Sequence, residues 1–260
     1  MTTTSARVVP WARGARWLAD GWRLFRVAPL AWIALVFGYW MLMIMVSMLP
    51  AVGIALASIL VPPFSVGFMS VSRAAARRAP LALPLLFAGF RERVQTQLLL
   101  GGVYLACLAL LLAASALADG GALAQWLLSA ERPAAESLQS GAFFLALASA
   151  AALYLPVMFA FWFAPVLAAW HGMGVAKALF FSLFACLMNW RAFLSYGVAA
   201  ALVTAAAPLA ALSALDWMSR GALRAQSDAL LFPLLLVILP TLLASFYASY
   251  RDIFGAPDAA

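Results

Sequence analysis

One histidine, two cysteines, ten methionines and sixteen basic residues are where chemistry could reside in these 260 residues. His171 is the sole histidine, and no cysteine or carboxylate stands at ligand spacing from it. A zinc site takes three or four protein ligands, so His171 reads as an interfacial anchor beside Trp170 rather than a metal ligand. Met41, Met45 and Met48 share a helical face, with Met43 close by. Thioethers can hold Cu(I), but no other soft ligand is near, and adaptable packing accounts for the stripe. Ser65, Ser70 and Ser72 offer hydroxyls without a Gly-x-Ser-x-Gly elbow or a paired base, which disfavours serine catalysis. Phosphate-loop and dinucleotide fingerprints are missing as well. The residues therefore predict a protein that is not an enzyme and uses no cofactor or metal.

The remaining polar groups fall at the ends of apolar runs. Arg73, His171 and Arg251 close the second, fourth and sixth runs, Asn189 and Arg191 open the fifth, and Asp252 follows Arg251. They should gather at one end of a bundle and meet lipid headgroups there. Asp252 is one of four acids expected on that side, with Asp20, Glu92 and Asp258. An unpaired carboxylate beside hydrocarbon is costly, so Asp252 should pair with an arginine of another segment, Arg191 first and Arg73 second. No acid falls inside an apolar run, which weakens the case for proton or cation coupling. Prolines interrupt the even runs: Pro62, Pro63, Pro156, Pro165, Pro233 and Pro240. Each should break its span and free a backbone carbonyl, and such carbonyls could line a solute path in a permease.

Those runs dictate the architecture. The chain is 67% hydrophobic and 10% charged. A soluble domain has about 45–50% apolar and about 25% charged residues, so the solvent is lipid. A net charge of +7 could suit nucleic acid, but the basic residues flank apolar runs, the membrane-protein pattern. The fold class expected is an all-α integral membrane protein with six transmembrane helices, at about 29–49, 53–71, 97–117, 141–170, 192–215 and 229–250. Residues 1–28 form a cytoplasmic segment that is too long and too broken for a signal peptide. Trp17, Leu18, Trp22 and Phe25 share one face of a helix there, opposite Arg13, Arg16, Asp20 and Arg23. Arg16–Asp20 is an i,i+4 pair, and the whole suits a helix lying in the membrane surface. The six-span domain runs over 29–255 and a tail over 256–260. The 119–140 loop should hold one helical turn at 124–128. Gly197, Ala201 and Ala205 recur at i+4, the small-residue spacing of close helix contacts. They predict that the fifth span is the most enclosed and that Ala201→Leu destabilises. Cys107 and Cys186 differ in predicted depth and should be free thiols.

Residues 61–73 return, without a gap, as 239–251: Pro62 falls on Pro240, Gly67 on Ser245, Phe68 on Phe246 and Arg73 on Arg251. Short apolar connectors at 73–97 and 171–189 resemble the N-terminal helix. The plan reads as three units, each an elbow helix followed by a helical hairpin. Thirteen basic residues lie on the N-terminal side and three, Arg132, Arg220 and Arg224, on the other, which places both termini inside.

Gly21-Trp22-Arg23-Leu24-Phe25, Pro29-Leu30-Ala31-Trp32, Ala164-Pro165, Trp170-His171, Asn189-Trp190 and Tyr250-Arg251-Asp252-Ile253-Phe254 together resemble a family of proteobacterial six-span inner-membrane proteins. The general plan is also similar to the membrane domain beside some glycerophosphodiester phosphodiesterases. The resemblance implies a multi-pass protein of the bacterial inner membrane and brings no catalytic residues with it. The expectation is a non-enzymatic protein whose basic cytoplasmic face binds anionic lipid headgroups, in membrane organisation or assembly. The alternative is a permease for a small amphipathic or apolar solute. The partners expected are the bilayer and its anionic headgroups, and not nucleic acid.

Overall fold

A computed structural model describes residues 5–129, 133–220 and 227–255. Among them the secondary structure is helical throughout. In chain order the helices are α1 (Ala12–Phe25), α2 (Pro29–Ser47), α3 (Gly53–Ala76), α4 (Leu83–Leu86), α5 (Val94–Asp119), α6 (Ala122–Ser129), α7 (Ala135–Leu138), α8 (Gly141–His171), α9 (Val175–Met188), α10 (Trp190–Ala201), α11 (Ala207–Met218) and α12 (Ser227–Phe254). A 3-10 turn follows α4 at Ala88–Phe90, and a π-helical stretch, Leu202–Ala206, joins α10 to α11. Six helical stretches are long and apolar enough to span a bilayer: α2, α3, α5, α8, the α10–α11 run and Pro233–Phe254 of α12. The helical turn expected at 124–128 is the longer α6.

Turn chemistry sets the joints. Ala51 takes φ 64 in the turn between α2 and α3. Gly120 and Gly172 cap α5 and α8 in the left-handed region, at φ 68 and φ 66. Pro29 opens α2, where a missing N–H costs nothing.

The prolines do not break their spans. Pro62 and Pro63 lie inside a continuous α3, Pro156 and Pro165 inside α8, and Pro233 and Pro240 inside α12. Neighbouring segments pack closely on the turns before the prolines. Gly101 of α5 sits against the Ile59 carbonyl, the acceptor left without its i+4 N–H by Pro63, so closely that a Cβ there would overlap it. Ser182 of α9 inserts into α8 above Pro165: its Oγ donates to the Phe159 carbonyl at 2.7 Å and accepts from the Phe163 N–H at 2.9 Å. Pro62, Pro63, Pro165 and Pro240 are buried, whereas Pro156 and Pro233 are exposed.

The core lies toward the arginine-rich end. One cluster joins α1, α8, α9, α10 and α12 around Trp17, Phe163, Leu167, Phe193 and Tyr250. A second joins α1, α2, α3 and α12 around Phe25, Trp32, Phe64, Phe68 and Leu86. The helix α1 packs against α10 and α12 with Trp17 fully buried, while Arg16, Trp22 and Arg23 on its other side stay exposed. Gly14 meets the Ala192 carbonyl and Gly21 the Thr241 carbonyl, contacts any Cβ would obstruct. The connector 73–97 holds α4, with Pro84 in its first turn, and the 3-10 turn rather than one longer elbow helix. The fifth span is not the most enclosed: Gly197, Ala201 and Ala205 are all exposed. Small residues permit close approach but supply little contact area. The aromatic stripe of Phe193 and Tyr196 instead decides which face of α10 is buried, at 6% exposure each.

Candidate functional site

The sequence-selected polar residues do collect at one end, but in three separate groups. The first ties α1 to α12. Asp252, near the end of α12, accepts from Arg13 Nε at 2.7 Å and from Trp17 Nε1 at 2.8 Å, with Arg13 Nη2 at 2.5 Å. Asp20, one turn beyond Trp17, accepts from Arg23 at 2.7 Å and lies 3.5 Å from Arg13 and 3.8 Å from Arg251. Both carboxylates are largely covered, with side-chain exposures of 14% and 13%. This corrects two pairings. Asp252 takes Arg13, not Arg191 or Arg73, because α1 brings Arg13 onto it, while Arg73 lies on the Trp170 ring and Arg191 on the exposed face of α10. Asp20 takes Arg13 and Arg23, not Arg16, which points outward on the exposed face.

The second group joins α3, α8 and α12. The Arg73 guanidinium lies 5.3 Å from the Trp170 ring centre. Trp170 meets Tyr250 edge-on at 5.2 Å, and Tyr250 Oη is 2.7 Å from His171 Nε2. Arg73 and His171 therefore do come to one place, around Tyr250, while Arg251 turns away toward Asp20. Phe163 and Phe254 close the same cluster from below.

The third group is Asn189. Its Nδ2 donates to the Arg7 and Ala185 carbonyls at 3.0 and 2.9 Å, and its Oδ1 accepts from the Val9 N–H at 2.8 Å. The Arg7 N–H in turn donates to the Ile253 carbonyl at 2.8 Å. A buried amide thus pins the N-terminal segment across the α9–α10 corner and the end of α12. Arg191, next along, joins none of these groups. It lies on the exposed face of α10, its guanidinium 5.5 Å from the ring of its own neighbour Trp190.

Sequence reasoning missed Arg13, Trp17 and Tyr250 as partners. A signal was present for the first two: Arg13, Trp17 and Asp20 fall at i, i+4 and i+7, one stripe of a helix. Gln97 was missed too; fully buried, it donates from Nε2 to the Pro165 carbonyl at 2.8 Å. Arg93 of the same connector donates to the Gly172 carbonyl at 2.5 Å, satisfying the C-terminal end of α8.

Other candidates take ordinary places. Met41, Met45 and Met48 are 40%, 70% and 77% exposed and face outward from α2. Ser65 and Ser72 donate to the Pro62 and Phe68 carbonyls of their own helix. Both cysteines are free. Among the described residues no cluster of three His, Cys, Asp or Glu could hold a metal.

Over 255 residues the chain is 40% identical to a probable inner membrane protein of Burkholderia thailandensis, covering 94% of this chain and 92% of the relative. The chain belongs to this family of probable inner membrane proteins. No family model and no solved structure matches it. The six apolar helices agree with a multi-pass protein of the inner membrane. The geometry of the site clamps helices together and presents arginines.

Proposed function

We propose that this is a non-enzymatic protein of the inner membrane whose arginine-rich end faces the cytoplasm and binds anionic lipid headgroups, in membrane organisation or assembly. One observation carries the reading. The acids Asp20 and Asp252 are turned inward onto Arg13, whereas Arg16, Arg26, Arg78, Arg91 and Arg191 remain exposed at the surface. Arg23, Arg26 and Arg78 line one shallow basic groove. Each exposed cation near an anionic leaflet adds about 1 kcal/mol of attraction. Native mass spectrometry tests this. Protein purified in mild detergent should retain phosphatidylglycerol or cardiolipin in preference to phosphatidylethanolamine, and equal retention would sink the reading.

The thirteen-to-three distribution of basic residues supports cytoplasmic termini. A periplasm-active reporter fused after Gly120 should be active and one after Ala256 silent; the reverse would invert the topology. Two like contacts support the repeated units. Gly21 of the first elbow meets Thr241 and Ser245 of α12, and the second connector meets α3 at Pro63 and Gly67, the aligned positions.

A permease is the second reading. A cleft of about 280 Å³ opens among α3, α5, α8 and α12, lined by Pro62, Ser65, Tyr104, Tyr154, Trp162 and Pro165. That is the small end of ligand pockets. Flux of small amphipathic solutes into proteoliposomes, lost on altering Pro62 or Pro240, would favour this reading over the first.

A further inference from the structure

A groove beside the α1–α10 contact is left without protein cover. The helices touch where Gly14 meets Ala192 and then part, leaving about 530 Å³. Trp11 forms one wall, Trp190 and Arg191 stand at the mouth, and Leu194, Val198 and Leu202 continue along α10. All three aliphatic residues are exposed, at 59%, 56% and 57%.

Polarity is graded along this groove. Arg191 has no carboxylate partner among the described residues, and the indoles of Trp11 and Trp190 flank it, 67% and 52% exposed. Indoles and arginines are the side chains that settle at the headgroup boundary. Below them Leu194, Val198 and Leu202 follow at i+3, i+7 and i+11 from Arg191, one stripe of the helix, with Ser195 the one polar side chain of the lining beyond Arg191 and the indoles. At 1.5 Å per residue, the eleven residues from Arg191 to Leu202 span roughly 16 Å. One leaflet of hydrocarbon is about half of roughly 30 Å. The groove therefore has the length of one acyl chain and carries a cation at its polar end. A guanidinium presents a fork of donors suited to a phosphate.

We propose that this groove is a built site for one anionic phospholipid, its phosphate on Arg191 between Trp11 and Trp190 and one acyl chain along Leu194, Val198 and Leu202. The proposal rests on the reading of this end as headgroup-facing and narrows it to one place. A second copy of the chain could also cover an apolar face, but it would have to take the Arg191 charge out of water.

Native mass spectrometry of the full chain in detergent, with added phosphatidylglycerol or phosphatidylethanolamine, tests it. Wild-type protein should hold one phospholipid after mild delipidation and prefer phosphatidylglycerol. Arg191→Gln should lower that preference roughly fivefold, the factor expected for one such charge. Val198→Trp, which fills the groove from an exposed position, should displace the retained lipid of either class. Thermal stability in detergent controls for folding, and neither exposed position should shift it. An Arg191→Gln protein with wild-type preference overturns the proposal. If that preference falls instead in an Arg26→Gln/Arg78→Gln variant, the broader reading stands and only this groove is refuted. If wild type shows no anionic preference, both fail. A dimer mass that Val198→Trp abolishes assigns the groove to a second copy, which also overturns the proposal.

Discussion

At the scale of residues, the decisive pair is Arg13–Asp252. Its members are 239 positions apart, and both side chains are less than one-third exposed. Charge-assisted bonds in such a setting are worth about 1–3 kcal/mol. A double-mutant cycle of Arg13→Gln and Asp252→Asn, followed by thermal unfolding in detergent, should return a coupling of that order. The corresponding cycle of Arg191→Gln with Asp252→Asn should be additive within about 0.5 kcal/mol. That Asp252 must be paired was legible from the sequence, since an isolated carboxylate at that depth is untenable. Which arginine pairs with it was not, because twelve of the thirteen basic residues on that side are arginines and only the path of α1 selects one. Cys186 offers a second check. It is fully buried, and burial pushes its thiol above the ordinary range, so little thiolate is available. A maleimide at neutral pH should label Cys107 in the folded protein well before Cys186. Equal labelling rates would place α9 outside the core.

At the scale of elements, glycine marks where helices touch. Gly21 packs on the Thr241 carbonyl and Ser245, whereas Gly197 has nothing within 4 Å of a built Cβ. Gly21→Leu should cost about 1–3 kcal/mol or more by overpacking. Gly197→Leu and Ala201→Leu should stay within about 0.5 kcal/mol, as exposed positions do. Melting temperatures in detergent separate the two sets; a destabilised Ala201→Leu protein would restore an enclosed fifth span. The proline-bearing helices teach a related lesson. Proline removes a donor wherever it stands, and that much is visible in the sequence. Whether the helix then breaks depends on what reaches the freed region. Here Gly101 packs on the Ile59 carbonyl, Ser182 bridges Phe159 and Phe163 in the turn before Pro165, and both helices run on.

At the scale of the whole molecule, α1 is a structural member and not an attachment. Trp17, Leu18 and Phe25 are at most 7% exposed, Asp252 and Asn189 fasten α1 and the segment before it, and both core clusters include it. A chain beginning at Pro29 should therefore lose its monodisperse peak in size-exclusion chromatography, or melt well below the full chain. An in-plane helix that merely rested on the membrane would leave the bundle unaffected by its removal.

What the sequence by itself determined is whatever depends on solvent and length. Apolar runs of some twenty residues must span lipid, six of them do, and polar residues must collect where the runs end. These follow from the free energy of placing single groups in hydrocarbon, which acts residue by residue. The tertiary structure alone decided which faces touch. Lipid is as apolar as leucine, so hydrophobicity carries no information about which side of α10 turns inward. Packing area and hydrogen bonds choose instead: Phe193 and Tyr196 inward, Gly197 and Ala201 outward, Asp252 onto Arg13. Those choices depend on the positions of several helices at once, and no single stretch of the chain contains them.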